Sequence, residues 1–163
     1  MISMAAVAEQ SPAALCNGVY FGMTMDQVIA AEPSRFYEID NNRTRGPVDY
    51  VGLEYEHVDV FGMRADVKYL FAGDTLAAIQ MKFDTEDYGV SYEAIKDSIV
   101  KQYGESTPLD LAALGDAIYA VDDDGRLEGR AEAWMVDSMA VVLERDHDDV
   151  DVTFVDLSQN SLK

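Results

Sequence analysis

The sequence predicts an α+β fold in which two tandem helix-plus-antiparallel-strand repeats form one mostly antiparallel sheet with both helices packed on one face. Three observations predict it. The octet Phe21 to Val28 recurs at Tyr88 to Ile95, an offset of 88 − 21 = 67 positions, with aromatic, Gly, apolar, hydroxyl, acidic and β-branched residues in the same order. Each octet carries a helix start, and each is followed by runs rich in β-branched and aromatic residues separated by turn signals. A single unit of this size buries too little surface to stand alone, so the two are expected to share one sheet.

The helix starts come first. Thr24 and Ser91 are placed as N-caps, where a side-chain oxygen accepts from a backbone N–H that the helix itself leaves without a partner. Thr24 and Gln27 have capping-box spacing, and Asp26 and Glu93 fall in the first turn, where the helix dipole favours acid. Pro33 ends the first helix early. The second runs longer, with Ile95, Ile99 and Tyr103 on one face and Gly104 as its stop.

The strands follow. In the first half Val51 to Val60, Met63 to Phe71 and Leu76 to Phe83 read as strands, divided by Phe61-Gly62 and by Ala72-Gly73-Asp74. Ala65, Val67, Tyr69 and Phe71 alternate with Asp66, Lys68 and Leu70, which predicts one largely wet face. In the second half Ala117 to Val121, Arg130 to Val136, Met139 to Leu143 and Val150 to Val155 read the same way. Their dividers are Asp122-Asp123-Asp124-Gly125, Asp137-Ser138 and Asp146 to Asp149. Pro33 to Pro47 and Glu105 to Gly115 read as the long irregular loops. The domain reading is a flexible leader over 1–17 and a single domain over 18–163, made of repeats at 18–83 and 84–157.

Composition bounds the function. The chain has 163 residues and 48% apolar side chains, enough to bury a core without staples. One cysteine, Cys16, leaves no internal disulfide framework, and no Cys and His spacing fits zinc. The net charge is −19. Residues 1–83 carry 11 acidic and 6 basic side chains, net −5, so 84–163 carry 31 − 11 = 20 and 12 − 6 = 6, net −14. That field repels nucleic-acid phosphates and anionic lipid and attracts a basic protein surface or a cation. No apolar run reaches the roughly 20 residues that span a bilayer. The residues before Asn17 lack the basic and continuous apolar stretches of an export signal, and Leu15 sits where a lipoprotein cysteine expects a small neighbour. As it stands the sequence reads as soluble and cytoplasmic, or as extracytoplasmic if a signal segment has been removed; the compartment itself is not legible.

Val19-Tyr20-Phe21-Gly22-Met23-Thr24 with Gln27-Val28 resembles the Gly-Met-Thr-x-x-Gln-Val signature of a bacterial superfamily. That superfamily includes the beta-lactamase inhibitory protein and the small outer-membrane assembly lipoproteins of the SmpA/OmlA type. Gly89-Val90-Ser91 with Ile95 is a diverged second copy, and Lys101-Gln102-Tyr103-Gly104-Glu105 is similar to a helix end common in secreted bacterial proteins. The resemblance spans roughly 18 to 157 and implies a tandem of helix-plus-strand units that bind other proteins through the sheet and its loops, without catalysis. The chain lacks the inhibitor's paired cysteines. Asp49-Tyr50 resembles the acidic-aromatic loop that such an inhibitor inserts into an active site.

The residues themselves add little chemistry. Asp122 to Gly125 has calcium-loop flavour, but with Gly125 at the sixth loop position Ala120 and Ala131 would occupy the first and twelfth, so a solvated turn is the expectation. Asp146-His147-Asp148-Asp149 reads as a hairpin tip, and His57 as a sheet-surface residue. No nucleophile elbow, phosphate-cradling loop or dinucleotide fingerprint is present, and Cys16 has no basic neighbour to activate it. No cofactor or metal is expected. Aromatic residues are the better lead, because Tyr and Trp anchor interfaces. Tyr50, Tyr55 and Trp134 are expected on an exposed face, and with Asp49 they form the expected protein-binding set. The leading reading is therefore a non-catalytic protein-binding module with a basic partner. The alternatives are an acidic secretion-chaperone-like protein, and after it a carboxylate-based hydrolase using Asp122, Asp124 and Asp148.

Overall fold

The computed structural model describes residues 16–45, 48–85, 89–122, 131–146 and 149–158. Among these residues seven strands form one antiparallel sheet: β1 (Arg35–Arg45), β2 (Val48–Val60), β3 (Met63–Ala72), β4 (Thr75–Asp84), β5 (Ala131–Val136), β6 (Met139–Asp146) and β7 (Asp149–Asp156). Their order is β1-β2-β3-β4-β7-β6-β5, so a meander from each half of the chain meets its counterpart at the antiparallel β4–β7 pair. The helices are α1 (Met25–Ala31), α2 (Tyr92–Tyr103), and two single turns, α3 (Leu111–Leu114) and α4 (Ile118–Val121), joined by a 3-10 turn over Gly115–Ala117. The α+β class is thus as the sequence predicts.

Local chemistry sets the boundaries. Thr24 caps α1 with a full capping box: its hydroxyl accepts from Gln27 N at 3.3 Å and its own N–H donates to Gln27 Oε1 at 2.9 Å. Ser91 caps α2, accepting from Ala94 N at 3.1 Å. Gly104 stops α2 at φ 86°, in the left-handed region where a side chain is costly. The β2–β3 hairpin turns on Phe61 and Gly62, both at positive φ (56° and 75°), as a tight hairpin requires at its two central residues. Ala72 pairs with Thr75 across Gly73-Asp74, and Val136 with Met139 across Asp137-Ser138.

The sheet has two unequal faces. Ala65, Val67, Tyr69 and Phe71 of β3, Ile79, Met81 and Phe83 of β4, Val141 and Leu143 of β6 and Val150, Val152 and Phe154 of β7 all belong to one buried cluster. Val28 of α1 and Ile95 and Ile99 of α2 are buried in that cluster, so α1 and α2 cover this face. Tyr103 meets Phe154 edge-on with ring centroids 6.1 Å apart. Backbone bonds from Gly22 N to Leu76 O (3.2 Å) and Leu76 N to Met23 O (2.8 Å) tie the approach to α1 to the start of β4.

The expectation that both helices share one face holds for α1 and α2 and does not extend to α4. The stretch Ala117 to Val121, expected as a strand, is helical and lies on the opposite face. There Ala120 packs with Tyr50, Leu70 and Ala78, Ala117 and Val121 pack with Val142 and Val155, and Gln80 Nε2 donates to Ala120 O at 2.6 Å. A five-residue apolar run fits either period, and the apolar positions of β4, β6 and β7 on that face select the helix. Leu111 to Leu114, inside the expected loop from Glu105 to Gly115, is helical as well.

Residues 35–45, expected inside the longest irregular loop, form β1 instead. The strand is polar and is bulged at Phe36/Glu38 and Asp40/Arg43, which suits an edge and hides the period of two. The opposite edge is closed by the chain itself: Thr107 N donates to Ala133 O (2.7 Å) and Met135 N donates to Thr107 Oγ1 (2.9 Å). Cys16 and Asn17, placed by the sequence reading at the end of a leader, belong to the packed domain. Residues 1–15 lie outside the described residues, as do Gly46-Pro47, Tyr88, Asp123 to Arg130, and His147-Asp148.

Candidate functional site

Three of the four residues expected at an exposed binding face are inside the protein. Trp134 is fully buried on the α2 side, its Nε1 donating to Gly104 O at 2.7 Å. Tyr55 is buried between Phe36 and Tyr69, with centroid distances of 5.5 and 5.7 Å. Tyr50 is buried on the opposite face against Leu70 and Ala120. Only Asp49 is exposed, on β2 opposite Thr44. These four therefore do not converge. The aromatic rings are large enough to be worth more as core than as surface in a chain this size, and sequence alone does not separate the two uses.

Register brings together a different set. Alternation points Asp66, Lys82, Asp84, Glu144, Asp149 and Asp151 away from the α1/α2 core, because their neighbours Val67, Phe83, Leu143 and Val150 point into it. Asp66 pairs with Lys82, Lys82 with Asp151, and Asp151 with Glu144, one row across β3, β4, β7 and β6. The next row sets Asp84 opposite Asp149. Lys82 Nζ reaches Asp149 Oδ2 at 3.5 Å. Asp66 and Lys82 are exposed, Asp84, Asp149 and Asp151 half-buried, and Glu144 buried. Further along the same face Lys68 Nζ pairs with Glu54 Oε1 at 2.8 Å. Asp84 is thus a cross-strand neighbour of Asp149, and Asp151 of Glu144.

Asp66 has a second duty. Its Oδ1 accepts from the backbone N of His57 at 3.3 Å, holding the bulge where His57 sits at φ 56°. His57 is thus exposed at a sheet irregularity, as its strand-like run suggests. Asp122, the one described member of the carboxylate set considered for hydrolysis, follows α4; Asp124, His147 and Asp148 lie outside the described residues. Among the described residues, no three His, Cys, Asp or Glu side chains stand close enough together to hold a metal ion. No helix among them is long and apolar enough to cross a membrane.

Two polar networks on the α1/α2 side hold elements in place. The buried carboxylate of Glu32 accepts from the Tyr69 hydroxyl, from Asn17 Nδ2 (3.2 and 3.0 Å to its two oxygens) and from Ser34 N (3.1 Å). Three donor groups, through four contacts, satisfy a charge that would otherwise be expensive inside. At the start of α2, Glu132 Oε2 accepts from the Tyr92 hydroxyl at 2.5 Å and Glu132 Oε1 meets Lys96 Nζ at 2.8 Å. Lys96, then Tyr92, hold the Glu132 carboxyl below the usual carboxylate range. Arg145 stacks over the Tyr92 ring at 4.5 Å.

Burial raises the Cys16 thiol from its ordinary 9.0 to about 11, beyond the lowering by the adjacent Tyr69 hydroxyl, so it is no nucleophile at neutral pH. Two titration consequences follow. At pH 8 the folded protein presents on the order of 100-fold less thiolate than an exposed cysteine, and a disulfide reagent is expected to label urea-unfolded chain far faster than native chain. Because the folded pKa lies above the unfolded one, this group's contribution is intact below about pH 9 and is lost as pH rises through 11. Denaturation midpoints measured from pH 8 to 11 should fall over that window for wild type more than for Cys16→Ala.

No family model, no characterised protein and no solved structure compared with the chain matches it.

Proposed function

We propose that this chain is a non-catalytic protein-binding module that engages a basic partner through the acidic rows of its sheet. The observation that carries the reading is the alignment of Asp66, Asp151 and Glu144 with Lys82 in one cross-strand row, beside the Asp84/Asp149 pair. A cationic partner surface is steered towards these carboxylates by the chain's net charge of −19.

The binding unit is read as a duplicated one, similar to the inhibitor-like bacterial superfamily. Support comes from the strand order, which runs outward from the β4–β7 pair through one meander on each side. It comes also from the two helix starts, where Gly22 (φ 91°) and Gly89 (φ 62°) each precede a hydroxyl N-cap by two residues. In this reading β1 and the α3–α4 segment are different insertions after equivalent helices.

The experiment is affinity capture at two ionic strengths with wild type and an Asp66→Asn/Asp84→Asn variant. Asparagine keeps an oxygen for the His57 N–H, so the bulge survives while two charges are lost. Capture of a basic protein is expected at about 50 mM salt and is expected to weaken several-fold both at about 500 mM and in the variant. Capture indifferent to both changes would reject the acidic rows as the contact surface.

A further inference from the structure

We draw no further inference here: the strongest candidate, the half-exposed apolar pair Phe36 and Ile39 on the edge strand β1, continues the sheet face that α1 and α2 cover, but nothing in the structure shows what covers it.

Discussion

Replacing Trp134 with alanine is expected to lower the free energy of unfolding by roughly 3–5 kcal/mol, the range for removing a large aromatic side chain from a packed core. Two effects add. The indole is fully buried in the cluster that α2 closes, so its removal leaves a cavity that neighbouring β-strands cannot collapse into. Its N–H also satisfies the carbonyl of Gly104, the residue that stops α2, so the helix end loses a partner. Trp134→Phe separates the two, keeping most of the volume while removing the donor, and should cost about 1–3 kcal/mol. Urea denaturation followed by far-ultraviolet circular dichroism reads both. A loss under about 1 kcal/mol for Trp134→Ala would mean that the ring is not where the fold places it.

The second large effect concerns Glu32. Tyr69→Phe removes one of the donors that hold the buried carboxylate, and hydrogen bonds to a charged group are worth about 1.5–3 kcal/mol. Glu32→Gln lightens the charge while leaving an acceptor for the same hydroxyl. If the two side chains act as a pair, the double variant should lose less than the sum of the single variants by at least about 0.5 kcal/mol. Simple additivity in that cycle would show that Tyr69 and Glu32 are not coupled. The network also ties Asn17 to the residue that ends α1, which explains why the domain begins before Gly18.

Much of the frame was legible because its signals are local. Hydroxyl caps at Thr24 and Ser91, the stop at Gly104 and the turns at Phe61-Gly62, Gly73-Asp74 and Asp137-Ser138 each depend on a few neighbouring residues, and the structure has them all. The strands with an apolar alternation, such as Ala65 to Phe71 and Val150 to Phe154, follow from the period of two.

What sequence hid depends on tertiary context. β1 is polar and twice bulged, so its residues look like loop until β2 is beside them. Asp110 caps α3 through Ala113 N at 3.2 Å, a signal that was present but sat in an expected loop without an apolar period to support it. The segment Ala117 to Val121 became helical because the far face of β4, β6 and β7 offers Ala78, Val142 and Val155 for it to cover.

The candidate site was hidden for a related reason. Asp66, Lys82, Glu144 and Asp151 are 16, 62 and 7 positions apart, each an ordinary outward residue of its own strand. Only the pairing of β4 with β7, strands from opposite halves of the chain, puts them in one row. The aromatic residues show the reverse case. Interface preference favours Tyr50, Tyr55 and Trp134 outside, whereas a sheet packed on both faces by helices takes those rings inside.

The most direct measurement of the central claim is a backbone amide map of isotope-labelled protein titrated with the captured basic partner. Shifts concentrated at Asp66, Lys82 to Asp84 and Asp149 to Asp151, and shrinking as salt is raised, are the predicted result. Shifts confined to α1, α2 or the strand edges, with these rows unmoved, would contradict it.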